Sequence, residues 1–124
     1  MSDAPSPGGF SASDPRGKTV LIVDDDEGIL YLVSLLVKTA GFNILTASNG
    51  EKGIELLAKN PDGVVLDLIM PGCGGLGVLN YLKLAGGPTP PVLVITAYER
   101  RHPAVQTAVM EPIVVQCLAK PLQH

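Results

Sequence analysis

Residues 19–26 read Thr-Val-Leu-Ile-Val-Asp-Asp-Asp, five apolar or β-branched residues that stop at three carboxylates. A run this short, apolar and rich in β-branched side chains is the mark of a strand buried on both faces. The figure recurs. Asn43 to Ala47 reads as a second strand, and Gly63 to Leu66 as a third that ends at Asp67. Pro91 to Ile95 reads as a fourth, followed by Thr96, and Ile113 to Leu118 as a fifth, with Lys120 just beyond. Helical stretches lie between. Asp26 suits the N-cap of a helix from Glu27 to Ala40, which Gly41 closes. Asn49 suits that of a helix over Gly50 to Lys59. The Gly/Pro-rich loop Met70 to Gly75 leads to a helix near Leu76 to Leu84, and Pro103 opens a short one. Five apolar strands alternating with helices predict an α/β doubly wound parallel sheet, and right-handed crossovers leave few topologies for it.

Composition limits the partners. The chain has 124 residues, enough for one domain, and 46% of them are hydrophobic. Its net charge of -3 argues against a nucleic-acid backbone or an anionic membrane as the main partner. No apolar run reaches the roughly 18 residues of a membrane span. Met1 to Gly17 lacks the apolar core of a secretory signal and is too poor in large apolar side chains to order itself. It is expected to be a disordered lead-in, with the domain over 18–124. Cys73 and Cys117 form neither a disulfide framework nor a metal spacing, so a reducing cytoplasm is the expected compartment.

In open parallel sheets ligands bind at the carboxyl ends of the strands. Those ends carry Asp24, Asp25 and Asp26, then Asp67, Thr96 and Lys120. Carboxylates gathered in one crevice repel each other, and a hard divalent cation such as Mg²⁺ relieves the repulsion. Lys120 adds a mobile positive charge and Thr96 a hydroxyl donor. Asp67, alone on its strand end, has the chemistry of a nucleophile toward phosphorus. Together these groups suit phosphoryl transfer to a carboxylate. Taken singly each has a plainer reading: the acidic run as a helix cap, Asp67 as a turn former, Lys120 as a solvated side chain. Asp26 is assigned to capping.

The chain resembles the response-regulator receiver domain of two-component signalling over about Lys18 to Leu122. VLIVDDDE matches that family's acidic pair, VVLDLIMPGCGG its phosphoacceptor segment D-x-x-M-P-x-x-x-G, VLVITAY its hydroxyl-plus-small pair at Thr96 and Ala97, and CLAKP its Lys-Pro. The resemblance implies a sheet of flavodoxin-like order 2-1-3-4-5 and phosphorylation at Asp67 by a histidine kinase or phosphotransfer protein. It implies Mg²⁺ held by Asp24, Asp25, Asp67 and the backbone carbonyl of Ile69. It also implies a cis Lys120–Pro121 peptide. In the family the residues two after the acceptor and two after the Thr tune dephosphorylation. Here they are the bulky Ile69 and Tyr98, so a long-lived phosphoryl state is expected.

Three features depart from the family. Cys117 occupies the place of the usual Tyr or Phe, MEPIVVQ lacks the small step before the fifth strand, and the fifth helix is missing after Pro121. With apolar residues around most of its circumference, the first helix should then carry an exposed patch, covered by self-association, a partner or further sequence. A degenerate receiver acting as a phosphorylation-independent docking module is the alternative function. An Asp-dependent phosphatase with Asp24 and Asp26 as its D-x-D is disfavoured by Gly28. A flavin-binding relative is disfavoured by the acidic first loop, where a phosphate needs donors.

Overall fold

The computed structural model describes residues 14–120. Five strands, β1 (Thr19–Val23), β2 (Asn43–Ala47), β3 (Gly63–Asp67), β4 (Val92–Thr96) and β5 (Val114–Ala119), form one parallel sheet in the order β2-β1-β3-β4-β5. Four helices connect them: α1 (Glu27–Thr39), α2 (Gly50–Leu56), α3 (Gly74–Ala85) and α4 (Pro103–Val109). This is the expected doubly wound architecture, and no helix follows β5 among the described residues.

Local chemistry sets the element ends. The Asp26 carboxylate accepts the N–H groups of Gly28 and Ile29 at 2.9 and 3.2 Å, satisfying two donors that the first turn leaves open. Asn49 caps α2 through Lys52 N–H at 2.7 Å. That helix ends at Leu56 rather than Lys59, because Leu57–Lys59 tightens into a 3₁₀ turn that stops at Asn60 in the left-handed region. Helix α3 starts at Gly74, two residues before the apolar pattern. Strand β4 begins after Pro91, which has no N–H to contribute but whose carbonyl accepts Val64 N–H at 3.0 Å.

One face of the sheet is closed. Leu21, Val23, Val64, Leu66, Val92 and Val94 pack there against Val78, Leu79 and Leu82 of α3 and Val105 and Ala108 of α4. The other face is thinly covered. Helix α1 buries none of its residues, with Tyr31 71% and Leu36 61% exposed, and Leu118 of β5 also faces solvent. The expected apolar patch is present.

Strand β5 carries one irregularity. Val92 pairs with Val114 but Leu93 with Gln116, so Val115 is an extra residue, 65% exposed. An inserted residue reverses the facing of everything after it. Cys117 therefore sits beside Val94 and packs against the core, while Gln116 and Leu118 turn outward.

Residues 14–17 form a turn in which Pro15 accepts Lys18 N–H at 3.0 Å. The expected lead-in lies otherwise outside the described residues, as does Pro121 with the expected cis bond. No helix among the described residues is long and apolar enough to cross a membrane.

Candidate functional site

The carboxyl edge of the sheet brings four of the sequence-predicted groups together. Asp24 follows β1 and Asp67 ends β3; their side chains are 99% or more buried. Lys120, one residue past β5, reaches between them, its Nζ 3.1 Å from Asp24 Oδ2 and 3.1 Å from Asp67 Oδ2. Its main chain is pinned by a 2.7 Å hydrogen bond from Lys120 N–H to the Thr96 carbonyl, which aims the long side chain back over the sheet edge. Asp25 is exposed, yet carboxylate oxygens of Asp24, Asp25 and Asp67 lie within 4.8 Å of one another.

Each buried acid is also held by backbone. Asp24 Oδ1 accepts Asp26 N–H at 2.9 Å, and Asp67 Oδ1 accepts Ile69 N–H at 3.1 Å. Asp24 Oδ2 has no hydrogen bond, because Lys120 contacts it as a charge without hydrogen-bond geometry. A buried anionic oxygen left in this way is an open ligand position, and together with Asp25 and Asp67 it makes an all-oxygen donor set that fits a hard divalent cation.

Burial pushes the Asp67 carboxyl up to about 6; the Asp24 charge adds to this, and Ile69 N–H and Lys120 oppose it. Burial disfavours the Lys120 ammonium, but the two carboxylates outweigh that and raise its pKa above the ordinary Lys value. One ammonium thus balances two buried acids incompletely. Thr96 is fully buried, and its Oγ1 accepts Tyr98 N–H at 3.1 Å. Asp26 stands apart as the helix cap.

The loop after Asp67 is shaped by Gly75, the last residue of the matched acceptor segment, and by Glu51, which sequence reading passed over. A Cβ on Gly75 would meet the Asp67 carbonyl oxygen and lie 2.7 Å from Leu68 Cα, both backbone atoms that cannot swing aside. Only glycine lets α3 start this close to the acceptor strand. Glu51 Oε2, from the first turn of α2, accepts Cys73 N–H at 3.0 Å and closes the loop. That hydrogen bond holds the Glu51 carboxyl below its ordinary pKa. Cys73 fills the space between two glycines: a Cβ on Gly50 would lie 2.6 Å from its Sγ, and one on Gly77 would lie 2.6 Å from its Cβ. An acidic first turn after Asn49 was the available signal for Glu51, but it names no partner in the loop after Asp67.

Fold and site together define a flavodoxin-like domain with an acidic pocket closed by a lysine. Residues 20–124 match the sequence profile of the response regulator receiver domain, and the chain belongs to that family. It is 42% identical over 81 residues to a cyclic di-GMP phosphodiesterase of Thermotoga maritima, covering 65% of this chain and 22% of the relative. It is 40% identical over 86 residues to the probable transcriptional regulatory protein TcrX of Mycobacterium tuberculosis, covering 68% and 36%. It thus spans well under half the length of either relative. Among solved structures it is similar to response regulator TrrA of Thermotoga maritima in complex with Mg²⁺-BeF. That match has a TM-score of 0.71 and 28% identity, and covers 86% of this chain and 89% of the other. Receiver domains are signalling modules of two-component systems rather than enzymes in the ordinary sense.

Proposed function

We propose that this receiver accepts a phosphoryl group on Asp67 from a histidine kinase or phosphotransfer protein. The observation that carries the reading is the buried Asp67 carboxylate, 3.1 Å from a lysine it shares with a second buried acid. An Asp67 oxygen attacks phosphorus, and the P–O bond forms as the P–N bond to the donor histidine breaks. The imidazole leaves with that electron pair. Lys120 meets the charge on the phosphoryl oxygens and Thr96 donates its hydroxyl to one of them. Asp24, Asp25, Asp67 and the Ile69 carbonyl are the groups to hold Mg²⁺, which when bound supplies charge neutralisation and Lewis acidity. Ile69 and Tyr98, two residues after the acceptor and two after Thr96, are bulky rather than polar and would not position a hydrolytic water, so the phosphoryl group is expected to be long-lived.

Intact-mass measurement after incubation with acetyl phosphate and Mg²⁺ tests the reading. One added phosphoryl group, abolished by chelator and by Asp67→Asn, is the expected result. No gain in folded, Mg²⁺-binding protein would refute it and leave a receiver that signals by docking alone. A phosphoryl half-life of seconds would contradict the slow hydrolysis expected from Ile69 and Tyr98.

A further inference from the structure

Helix α2 joins the two halves of the acidic pocket. Its Gly53 is buried so closely on β1 that a Cβ there would lie 3.0 Å from a methyl of Val23, the residue before Asp24. The Asp24 N–H donates to the Ala47 carbonyl at 3.1 Å, which ties the same strand end to the segment leading into α2. On its other side the helix meets the loop after Asp67. A Cβ on Gly50 would lie 3.0 Å from the Gly74 carbonyl oxygen, and the Glu51 carboxylate lies under the turn at Gly72. Gly72 has φ +76°, and a Cβ there would come within 2.7 Å of Glu51 Oε2. Glycine therefore admits both the turn and the carboxylate. From this place Glu51 Oε2 accepts Cys73 N–H at 3.0 Å. The loop has few other ties. Ile69 N–H donates to Asp67 Oδ1, Gly75 N–H to the Leu68 carbonyl at 3.3 Å, and Met70 packs into the core. Among the described residues, the contact to Glu51 is the only hydrogen bond donated by the N–H groups of residues 70–73.

Resting on the reading that Asp24, Asp25, Asp67 and the Ile69 carbonyl hold Mg²⁺, we propose that Glu51 is a positioning residue for that site. By tying Cys73 N–H to α2, it holds in place the loop that carries the Ile69 carbonyl, so the cation meets a formed site. Glu51 is not one of the clustered acids, so it acts through the loop rather than as a ligand. Its own helix is seated on the strand that ends at Asp24, and the loop it holds leaves the strand that ends at Asp67. The tether therefore fixes the two halves of the pocket relative to each other. A loop that holds its binding arrangement only part of the time binds more weakly by that fraction. One hydrogen bond biases such an equilibrium by roughly two- to tenfold. Losing the tether weakens cation binding by that factor and leaves the chemistry of the filled site unaltered.

Titration of the full chain with Mg²⁺, followed by calorimetry and by amide NMR, tests this with three variants. Glu51 is exposed, so its replacement leaves the fold standing, which urea melts verify. Glu51→Ala removes the acceptor and binds Mg²⁺ roughly two- to tenfold more weakly. Glu51→Gln gives up the charge but keeps an acceptor oxygen at the same reach, and binds like the unsubstituted chain. Glu51→Asp keeps the charge but falls one methylene short of Cys73, and binds as weakly as Glu51→Ala. In chelator, with no metal involved, the Cys73 amide proton exchanges faster in the Ala and Asp variants than in the Gln variant. At saturating Mg²⁺ all four proteins take up a phosphoryl group from acetyl phosphate equally. Weak binding by Glu51→Gln beside tight binding by Glu51→Asp would show that a nearby negative charge draws the cation, and overturns the positioning role. Equal Mg²⁺ affinity in all four overturns it as well. Absence of Mg²⁺ binding by the unsubstituted chain overturns the metal reading itself, a separate failure seen before any variant is compared.

Discussion

The Asp67 carboxyl is the group whose ionisation the fold opposes most visibly, and its effect on stability is the sharpest test of the site's electrostatics. Folding raises its pKa from 3.8 to about 6. The folded state therefore binds a proton that the unfolded state has released between those values. The resulting stabilisation is complete below about pH 3.8 and is lost as pH rises through about 6. Linkage with these two values gives about 1.4 kcal/mol at pH 5 and almost none at pH 7.5. Solvent at the pocket mouth screens part of this, leaving about 1 kcal/mol. Asp67→Asn removes the titration. Its own stability offset, from trading one hydrogen-bonding pattern for another, is nearly independent of pH and cancels when two pH values are compared. Urea melts of both proteins at pH 5 and 7.5 in chelator should show the unsubstituted chain losing about 1 kcal/mol relative to the variant, or about 4–8 °C in Tm. Mg²⁺ at pH 7.5 should restore the loss in the unsubstituted chain and do little for Asp67→Asn. A difference that is flat across the two pH values, or that favours the unsubstituted chain at pH 7.5, would refute the claim that Asp67 is held against its ionisation.

Gly75→Ala should cost about 2–3 kcal/mol in urea melts, because its Cβ must displace backbone at Asp67 and Leu68. Asp26→Ala should cost about 1 kcal/mol through the lost cap while leaving phosphoryl uptake intact, as read by intact mass; loss of uptake would make Asp26 a ligand. Leu36→Lys on the exposed face of α1 should change stability by less than about 0.5 kcal/mol and reduce self-association in sedimentation, together with binding of an apolar dye. An unchanged sedimentation profile at high concentration would show that this face is not covered by a second copy.

Much of this protein is legible in its sequence, for reasons that are local. Each β-rich apolar run is short and bounded, so the five strands and their alternation with helices follow from pattern alone. Asp24, Asp67, Thr96 and Lys120 sit at strand ends in that pattern, and parallel strands must deliver their carboxyl ends to one edge. Asp26 and Asn49 announce their helices because capping is a contact over two or three residues.

What the tertiary structure decided depends on contacts far apart in the chain. The shift of register at Val115 rotates Cys117 inward, whereas strict alternation from Val114 would have placed Gln116 against the core. Pairing with β4 settles that choice, and nothing in VVQC does. The need for glycine at position 75 comes from the Asp67–Leu68 backbone passing within contact distance, and the role of Glu51 from a loop 22 residues further on. The rise in the Asp67 pKa likewise needs Asp24 brought alongside and water removed. Sequence determined which groups stand at the ends of which elements, because pattern and capping act over a few residues. Only packing determined how close those groups come, which way they face and how far burial alters their chemistry.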